Sequence, residues 1–254
     1  MLHNFTDWKE SKKETDGILI VNKPRGLTSH DIVSLIRNKL NIKKVGHAGT
    51  LDPLACGVLV ILIGKATKLS KNLVKHDKVY EADCLLGIMT ETDDLEGEII
   101  KKQSKISIDE QDLITALSKF KGSIKQKVPR YSAVKLKGKR LYDLARKKKR
   151  FNLPERTVTI YEIELINFNP PEVKLRIRCS KGTYIRSICR DIGKVLGCGA
   201  CLKSLKRSKS GPFTIDESIS IDEIRMFSKN KIKEHILTIF DNEGLQRFIQ
   251  DREN

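Results

Sequence analysis

The sequence predicts an α+β domain in which helices flank a mixed, largely antiparallel β-sheet. Two observations carry this. Segments of period-two alternation and short all-apolar runs are interleaved with segments of helical spacing along the 254 residues. These signals lack the regular strand–helix–strand order that builds a purely parallel sheet. A charged fraction of 32% with 39% apolar residues excludes a disordered chain. No apolar run approaches the roughly 18 residues of a membrane span. The longest candidate, Val58 to Ile63, is strand-sized.

Residues 1–16 are polar and mixed in charge, without the apolar stretch of a signal peptide, and read as a leader in a cytoplasmic protein. Gly17 to Val21 is an apolar run stopped by the turn residues Lys23-Pro24-Arg25-Gly26. Thr28-Ser29-His30-Asp31 suits a helix N-cap ahead of Ile32, Val33, Leu35, Ile36 and Leu40. The glycine-rich stretch KKVGHAGTLDPLACG disfavours regular structure and leads into the apolar run Val58 to Ile63, a strand buried on both faces. Ala66, Leu69 and Leu73 have helical spacing. Tyr80, Ala82, Cys84 and Leu86 share one face of an alternating strand. Ser107-Ile108-Asp109-Glu110 reads as a capping box for a helix with Leu113, Ile114 and Leu117 inward. Val173, Leu175, Ile177 and Cys179 alternate with Lys174, Arg176, Arg178 and Ser180, which makes a half-buried strand with a cationic outer face. Tyr184 to Leu196 is a helix through Ile185, Ile188, Ile192 and Val195, ended by Gly197. Ser220 to Glu223 is a further capping box, in a C-terminal region of short helices laid on the main body. The domain is therefore expected over residues 17–240, with a tail from 241 to 254.

The chain carries 49 Lys and Arg against 32 Asp and Glu, a net charge of +17. The segment 121–150 alone holds 13 Lys or Arg and the single acid Asp143. Such a concentration fits a polyanionic partner, because each neutralised phosphate releases counterions. A solvated basic loop has the same composition. Among the six cysteines only Cys198 and Cys201 form C-x-x-C, with no second pair or His pair to complete a zinc site. Reduced, mostly buried thiols and no metal are expected. Phosphate-loop, dinucleotide, zinc-protease and serine-nucleophile motifs are absent. What remains is the loop Gly46-His47-Ala48-Gly49-Thr50-Leu51-Asp52-Pro53. Its glycines and Pro53 hold Asp52 at one angle. By spacing alone, Asp52 either faces a substrate or bonds its own backbone in an Asx-type turn.

Seven segments, in order, resemble the TruB family of pseudouridine synthases. They are GILIVNKPRGLTSHDIV, KKVGHAGTLDPLACGVL, GKATKLS, DKVYEADCLLGIMTETDDLEGE, VPRYSAVKLKGKRLYDLAR, CSKGTYIRSICRDIGKVLGCGA and LKRSKSGPF, spanning residues 17–213. The GHAGTLDP form resembles the bacterial branch rather than the guide-RNA branch. The resemblance implies the pseudouridine synthase fold with a basic RNA-binding insertion. It also implies isomerisation of uridine 55 in the tRNA T-loop by base flipping, with no cofactor and no guide RNA. A monomer is the default.

The same resemblance implies residue roles. Asp52 is the catalytic nucleophile, a usual group to set against a breaking glycosidic bond. Arg186 pairs with it, and Tyr80 packs on the flipped base and helps deprotonate C5. Tyr184 belongs to the same pocket. Leu205, which the sequence places ahead of a strand, lines the uracil site. His47 enters the RNA and helps displace the target base, and Lys23 and Pro24 support the loop. The RNA-binding insertion, about residues 121–150, brings Lys125, Lys127, Arg130, Tyr131, Lys135, Lys139, Arg140, Tyr142, Arg146, Lys147, Lys148, Lys149 and Arg150 to the T-stem and loop. Ala48 and Cys56 stand where Thr is common, Val128 where Pro is frequent, and Cys201 where His is frequent. About 40 residues follow Phe213, too few for a further PUA-type domain. Reduced acceptor-stem contacts are therefore expected, with more of the affinity in the Arg146 to Arg150 run. A catalytically inactive tRNA-binding protein and a guide-dependent rRNA enzyme are the competing readings.

Overall fold

The computed structural model describes residues 16–147 and 151–238. The leader before Asp16, the cations Lys148, Lys149 and Arg150, and the expected tail lie outside the described residues.

Element order follows the chain. Strand β1 (Gly17–Lys23) leads to helix α1 (Ser29–Leu40), then β2 (Val45–His47) and β3 (Ala55–Ile63). A 3-10 turn over Gly64–Leu69 runs into the short α2 (Ser70–Leu73). Next come β4 (Lys78–Leu86), β5 (Ile88–Thr90), β6 (Ile99–Lys102) and α3 (Glu110–Ser118). Strand β7 (Gly122–Lys127) precedes a small hairpin, β8 (Lys135–Leu136) with β9 (Lys139–Arg140), and α4 (Leu141–Arg146). The long β10 (Glu155–Asn169) turns back as β11 (Glu172–Cys179), followed by α5 (Ile185–Val195) and β12 (Ala200–Ser210). The described chain closes with β13 (Phe213–Thr214), β14 (Ile219–Ser220), α6 (Ile221–Met226) and α7 (Lys229–Glu234).

The main sheet has the order β14-β1-β3-β12-β4-β11-β10-β7, with β2 beside β3 and β13 beside β12. Only β1/β14 and β3/β12 are parallel, so the sheet is mixed and mostly antiparallel, as expected. The alternation in β4 and β11 is realised: Tyr80, Ala82, Cys84 and Leu86 face one core with Val173, Leu175, Ile177 and Cys179. Helix α5 covers that face through Ile185, Ile188 and Ile192. Complete burial of such a side chain is worth about 1.5–3 kcal/mol. On the opposite face Lys174 pairs with Glu81 (3.2 Å), and Arg178 lies 5.4 Å over the Tyr161 ring. Strand β3 is buried on both sides. Val58, Val60 and Leu62 face a second core, with Ile18, Ile20 and Phe213.

Some local expectations change. Thr28 caps α1 as expected, and its bond with Asp31 is reciprocal. The third helix is capped instead by Asp109 and Asp112, and Ile114 points outward at 43% exposure. Val195 is likewise exposed, because α5 meets the sheet along the Ile185–Ile188–Ile192 stripe. The thiols differ from expectation as well. Cys84 on β4 and Cys189 on α5 have Cα atoms 5.8 Å apart and are joined as a disulfide, whereas Cys179, Cys198 and Cys201 are free and buried. Packing of α5 over β4 brings together two residues 105 positions apart, which spacing along the chain does not reveal.

One row of the sheet positions everything that follows. Lys23 is opposite Gly57, Gly57 is opposite Arg207, and Arg207 is opposite Tyr80. This row crosses β1, β3, β12 and β4 directly beneath the Gly49–Pro53 loop. Gly57 has φ +103°, and a Cβ there would come within 2.3 Å of the Arg207 carbonyl oxygen. Only glycine fits that approach.

Candidate active site

The loop carrying Asp52 is irregular, yet the backbone acceptors from Gly49 to Pro53 are all engaged. Arg207 donates from Nη2 to Gly49 O and from Nη1 to Thr50 O, both at 3.3 Å, and from Nε to Val58 O at 2.8 Å. Ser29, in the first turn of α1, brackets Leu51. Its hydroxyl donates to the Leu51 carbonyl (3.0 Å) and accepts from the Leu51 amide (2.9 Å). The Asp52 carbonyl accepts from Ala55 N–H (3.0 Å), and that of Pro53 from Gly26 N–H (2.8 Å). Lys23 Nζ adds bonds to Leu27 O (2.7 Å) and Pro24 O (2.8 Å) and reaches Pro53 O at 3.5 Å. A loop with its acceptors satisfied in this way holds its side chains at fixed angles.

Asp52 is thereby presented to Arg186. Arg186 Nη2 lies 2.9 Å from Asp52 Oδ2, and Nη1 lies 3.5 Å from Asp94 Oδ2. The same two nitrogens donate to the carbonyls of Thr92 (3.0 Å) and Tyr131 (3.1 Å). Arg186 and Asp94 are 7% and 5% exposed, whereas Asp52 keeps 35%. The guanidinium therefore joins the loop carboxylate to a buried counter-charge and to the Tyr131 backbone.

A cavity of about 580 Å3 opens above this pair. Of the residues singled out from sequence, Asp52, Arg186, Tyr80, Tyr184, Leu205, Tyr131, Tyr142 and Arg146 line it. Leu205 lies inside β12 rather than ahead of it, opposite Ala82. Tyr80 is buried. Burial pushes its hydroxyl above the ordinary tyrosine value while Arg207 works in the opposite direction, leaving a neutral phenol at neutral pH. Lys78, also on the wall, is pushed down to about 8 by burial. Its Nζ donates to Val74 O at 2.7 Å and to His76 O. Gln126 fixes Tyr184, accepting from its amide (2.8 Å) and donating to its carbonyl (3.1 Å). Arg156 lies 5.2 Å over the Tyr184 ring.

Lys23, Pro24, His47 and most cations of the basic segment stand apart from the cavity. Lys23 and Pro24 lie under the loop, and burial pushes the Lys23 ammonium down to about 8. His47 sits on β2, its pKa lowered by burial, with Nδ1 buried and unpartnered. Within the basic segment, Lys125 and Lys127 belong to sheet strand β7, and Lys135, Lys139 and Arg140 to the small hairpin. Arg140 and Arg146 each lie 5.7 Å over the Tyr142 ring, and Arg130 lies 5.0 Å over that of Phe151. Lys147 directly follows α4. No cluster of three His, Cys, Asp or Glu able to hold a metal occurs among the described residues.

Sequence reasoning missed Arg207, Ser29, Gln126 and Asp94. Arg207 stands in the LKRSKSGPF segment, one cation among many, and only the sheet register reveals its partners.

A titrating group lies behind the site. Asp93 pairs with Arg190 at 2.9 Å, but burial outweighs that attraction and pushes its carboxyl up to about 6. The folded protein thus holds a proton that the unfolded chain, with its ordinary value of 3.8, has released. Unfolding free energy should then fall as pH rises from 3.8 through about 6. Asp93→Asn should flatten this part of the profile. Urea unfolding of both proteins at pH 4, 5, 6 and 7 checks it, and parallel profiles would refute it.

A family model described as TruB family pseudouridylate synthase (N terminal domain) matches residues 37–185. The chain belongs to the TruB family. A second model, the tRNA pseudouridylate synthase B C-terminal domain, matches 186–254, so the border between the two falls in the first turn of α5. Among curated relatives, the tRNA pseudouridine synthase B of Alkaliphilus oremlandii is 50% identical over 210 residues, which cover 83% of this TruB-family chain and 70% of that protein. The Clostridioides difficile protein of the same name is 46% identical, covering 88% and 75%. Two solved structures have the same fold at 30% identity. One is a Cbf5-Nop10-Gar1 complex (TM-score 0.69, covering 87% of this chain and 59% of that one). The other is an H/ACA RNP bound to a substrate RNA containing 2′-deoxyuridine (TM-score 0.63, covering 82% and 52%).

Proposed function

We propose that this chain converts uridine 55 in the tRNA T-loop to pseudouridine, with Asp52 as nucleophile and no cofactor. The Asp52–Arg186 pair, set in a cavity walled by Tyr80, Tyr184 and Leu205, carries the reading. The target uridine leaves its stack and enters the cavity, its base on the Tyr80 ring. Asp52 bonds to the nucleotide as the N1–C1′ bond breaks. The uracil turns, C5 bonds to C1′ as Asp52 is released, the C5 proton departs, and N1 takes up a proton. The basic segment and its tyrosines receive the T-stem and loop, with His47 at the displaced base. The protein acts as a cytoplasmic monomer.

The relatives at 43–50% identity are tRNA pseudouridine synthases B, whereas the Cbf5-Nop10-Gar1 and H/ACA RNP structures are at 30%, which favours the tRNA reading. The test is tritium release from a bare tRNA transcript labelled at uridine C5, with EDTA present and no guide RNA. Release of one equivalent, with modification mapped to position 55, is expected. Salt-sensitive binding without release would replace this reading with that of a tRNA-binding protein.

A further inference from the structure

Four buried side-chain nitrogen or oxygen atoms among the described residues have no hydrogen-bond partner: Arg37 Nε, His47 Nδ1, Ser132 Oγ and Arg186 Nε. Ser132 and Arg186 both border the cavity. Arg186 is engaged elsewhere through both terminal nitrogens. Ser132 is 5% exposed, and its hydroxyl bonds to nothing. A buried polar atom without a partner costs free energy, and at the wall of a cavity a bound molecule can supply the missing partner.

We propose that Ser132 Oγ hydrogen-bonds the ribose 2′-hydroxyl of the flipped uridine. Placement of the residue carries the choice of sugar over base. The sheet side of the cavity, Tyr80 with Leu205, offers the flat apolar surface that takes the base. Ser132 borders the cavity from the segment between β7 and β8. The preceding carbonyl, that of Tyr131, accepts from Arg186 Nη2, the same nitrogen that lies 2.9 Å from Asp52. The carboxylate acts at the sugar–base junction, so the chain that touches its arginine faces the sugar. The Ser132 carbonyl is fixed in turn by Tyr142 N–H at 3.1 Å, which holds the peptide on both flanks of the hydroxyl. A serine hydroxyl gives one hydrogen bond and accepts up to two. That complements a ribose hydroxyl and discriminates poorly between base edges. Contact with the 2′-hydroxyl also separates RNA from DNA at the target.

This inference rests on reading the cavity as a uridine site. Its test compares Ser132→Ala with the parent protein, both in an Asp52→Asn background that binds without turnover. The probes are T-stem-loop RNAs identical except for uridine or 2′-deoxyuridine at the target. The expected result is roughly 5- to 20-fold weaker binding of the uridine RNA by Ser132→Ala, and equal binding of the deoxyuridine RNA by both proteins. Thermal stability should be unchanged or raised, because the free protein loses no hydrogen bond. Ser132→Thr, which keeps the hydroxyl, should restore the difference between the two RNAs. Equal losses on both RNAs, or no loss on either, would overturn the proposal. Failure of the native protein to release tritium would instead overturn the uridine-site reading.

Discussion

Asp52→Asn should abolish turnover while leaving tRNA binding within about threefold of the native value. The substitution keeps shape and one acceptor oxygen for Arg186 but removes the proposed nucleophile. Loss of a covalent nucleophile costs roughly ten-thousand-fold or more in kcat. The fold should persist. Arg186 keeps Asp94 and two backbone carbonyls, and the Asp52 side chain is already 35% exposed. An ion pair with one partner exposed to that degree contributes about 1 kcal/mol or less. Single-turnover tritium release and filter binding on the same preparation measure the two quantities. Residual turnover above about one-hundredth of native would remove Asp52 from the nucleophile role.

Arg207→Met should lower kcat by about 100- to 1000-fold with little change in affinity. Arg207 is 1% exposed, and among the described residues no carboxylate pairs with it; its donors go to the carbonyls of Gly49, Thr50 and Val58 and to the Tyr80 hydroxyl. Methionine fills similar space and frees the first half of the Asp52 loop. Displacing a reactive group by about 1 Å costs on the order of 100-fold. Two opposing effects keep the loss of stability modest. The orphaned carbonyls cost about 1–3 kcal/mol each, while removal of an unpaired buried cation offsets part of that. Arg207→Lys should recover part of kcat, because one ammonium can hold one of the three carbonyls. Kinetics and urea unfolding together decide the matter. A fall in kcat matching only the unfolded fraction would make Arg207 a purely structural residue.

Local rules made much of this protein legible. Alternation exposed β4 and β11, the caps at Thr28 and Ser220 marked α1 and α6, and the apolar run marked β3. The loop around Asp52 stood out because its glycines and proline exclude regular structure. The rest depends on register. Arg207 bonds the loop from about 150 positions away, and Gln126 clamps Tyr184 from 58 positions away. Spacing along the chain carries no trace of either. The cap of α3 was misplaced because Ser107 and Asp109 both suit the role, and packing of Leu113 and Leu117 selects the later start. Cys84 and Cys189 show the same limit, since strand and helix patterns say nothing of which thiol meets which.

Strand β12 has a consequence for how the protein comes into being. It lies between β3 and β4 and joins two sub-sheets, β14-β1-β3 and β4-β11-β10-β7. It is also made late, from residue 200 onward. While the nascent chain is still short of it, β4 and the Ala55–Gly57 end of β3 are open edges, and unpaired strand edges invite association between chains. Asp52 and Tyr80 have by then been synthesised, but the strand that sets their separation has not. A ribosome stalled before β12 would therefore display an inert, sticky precursor. Catalytic competence arrives in one step, when the last central strand closes the gap.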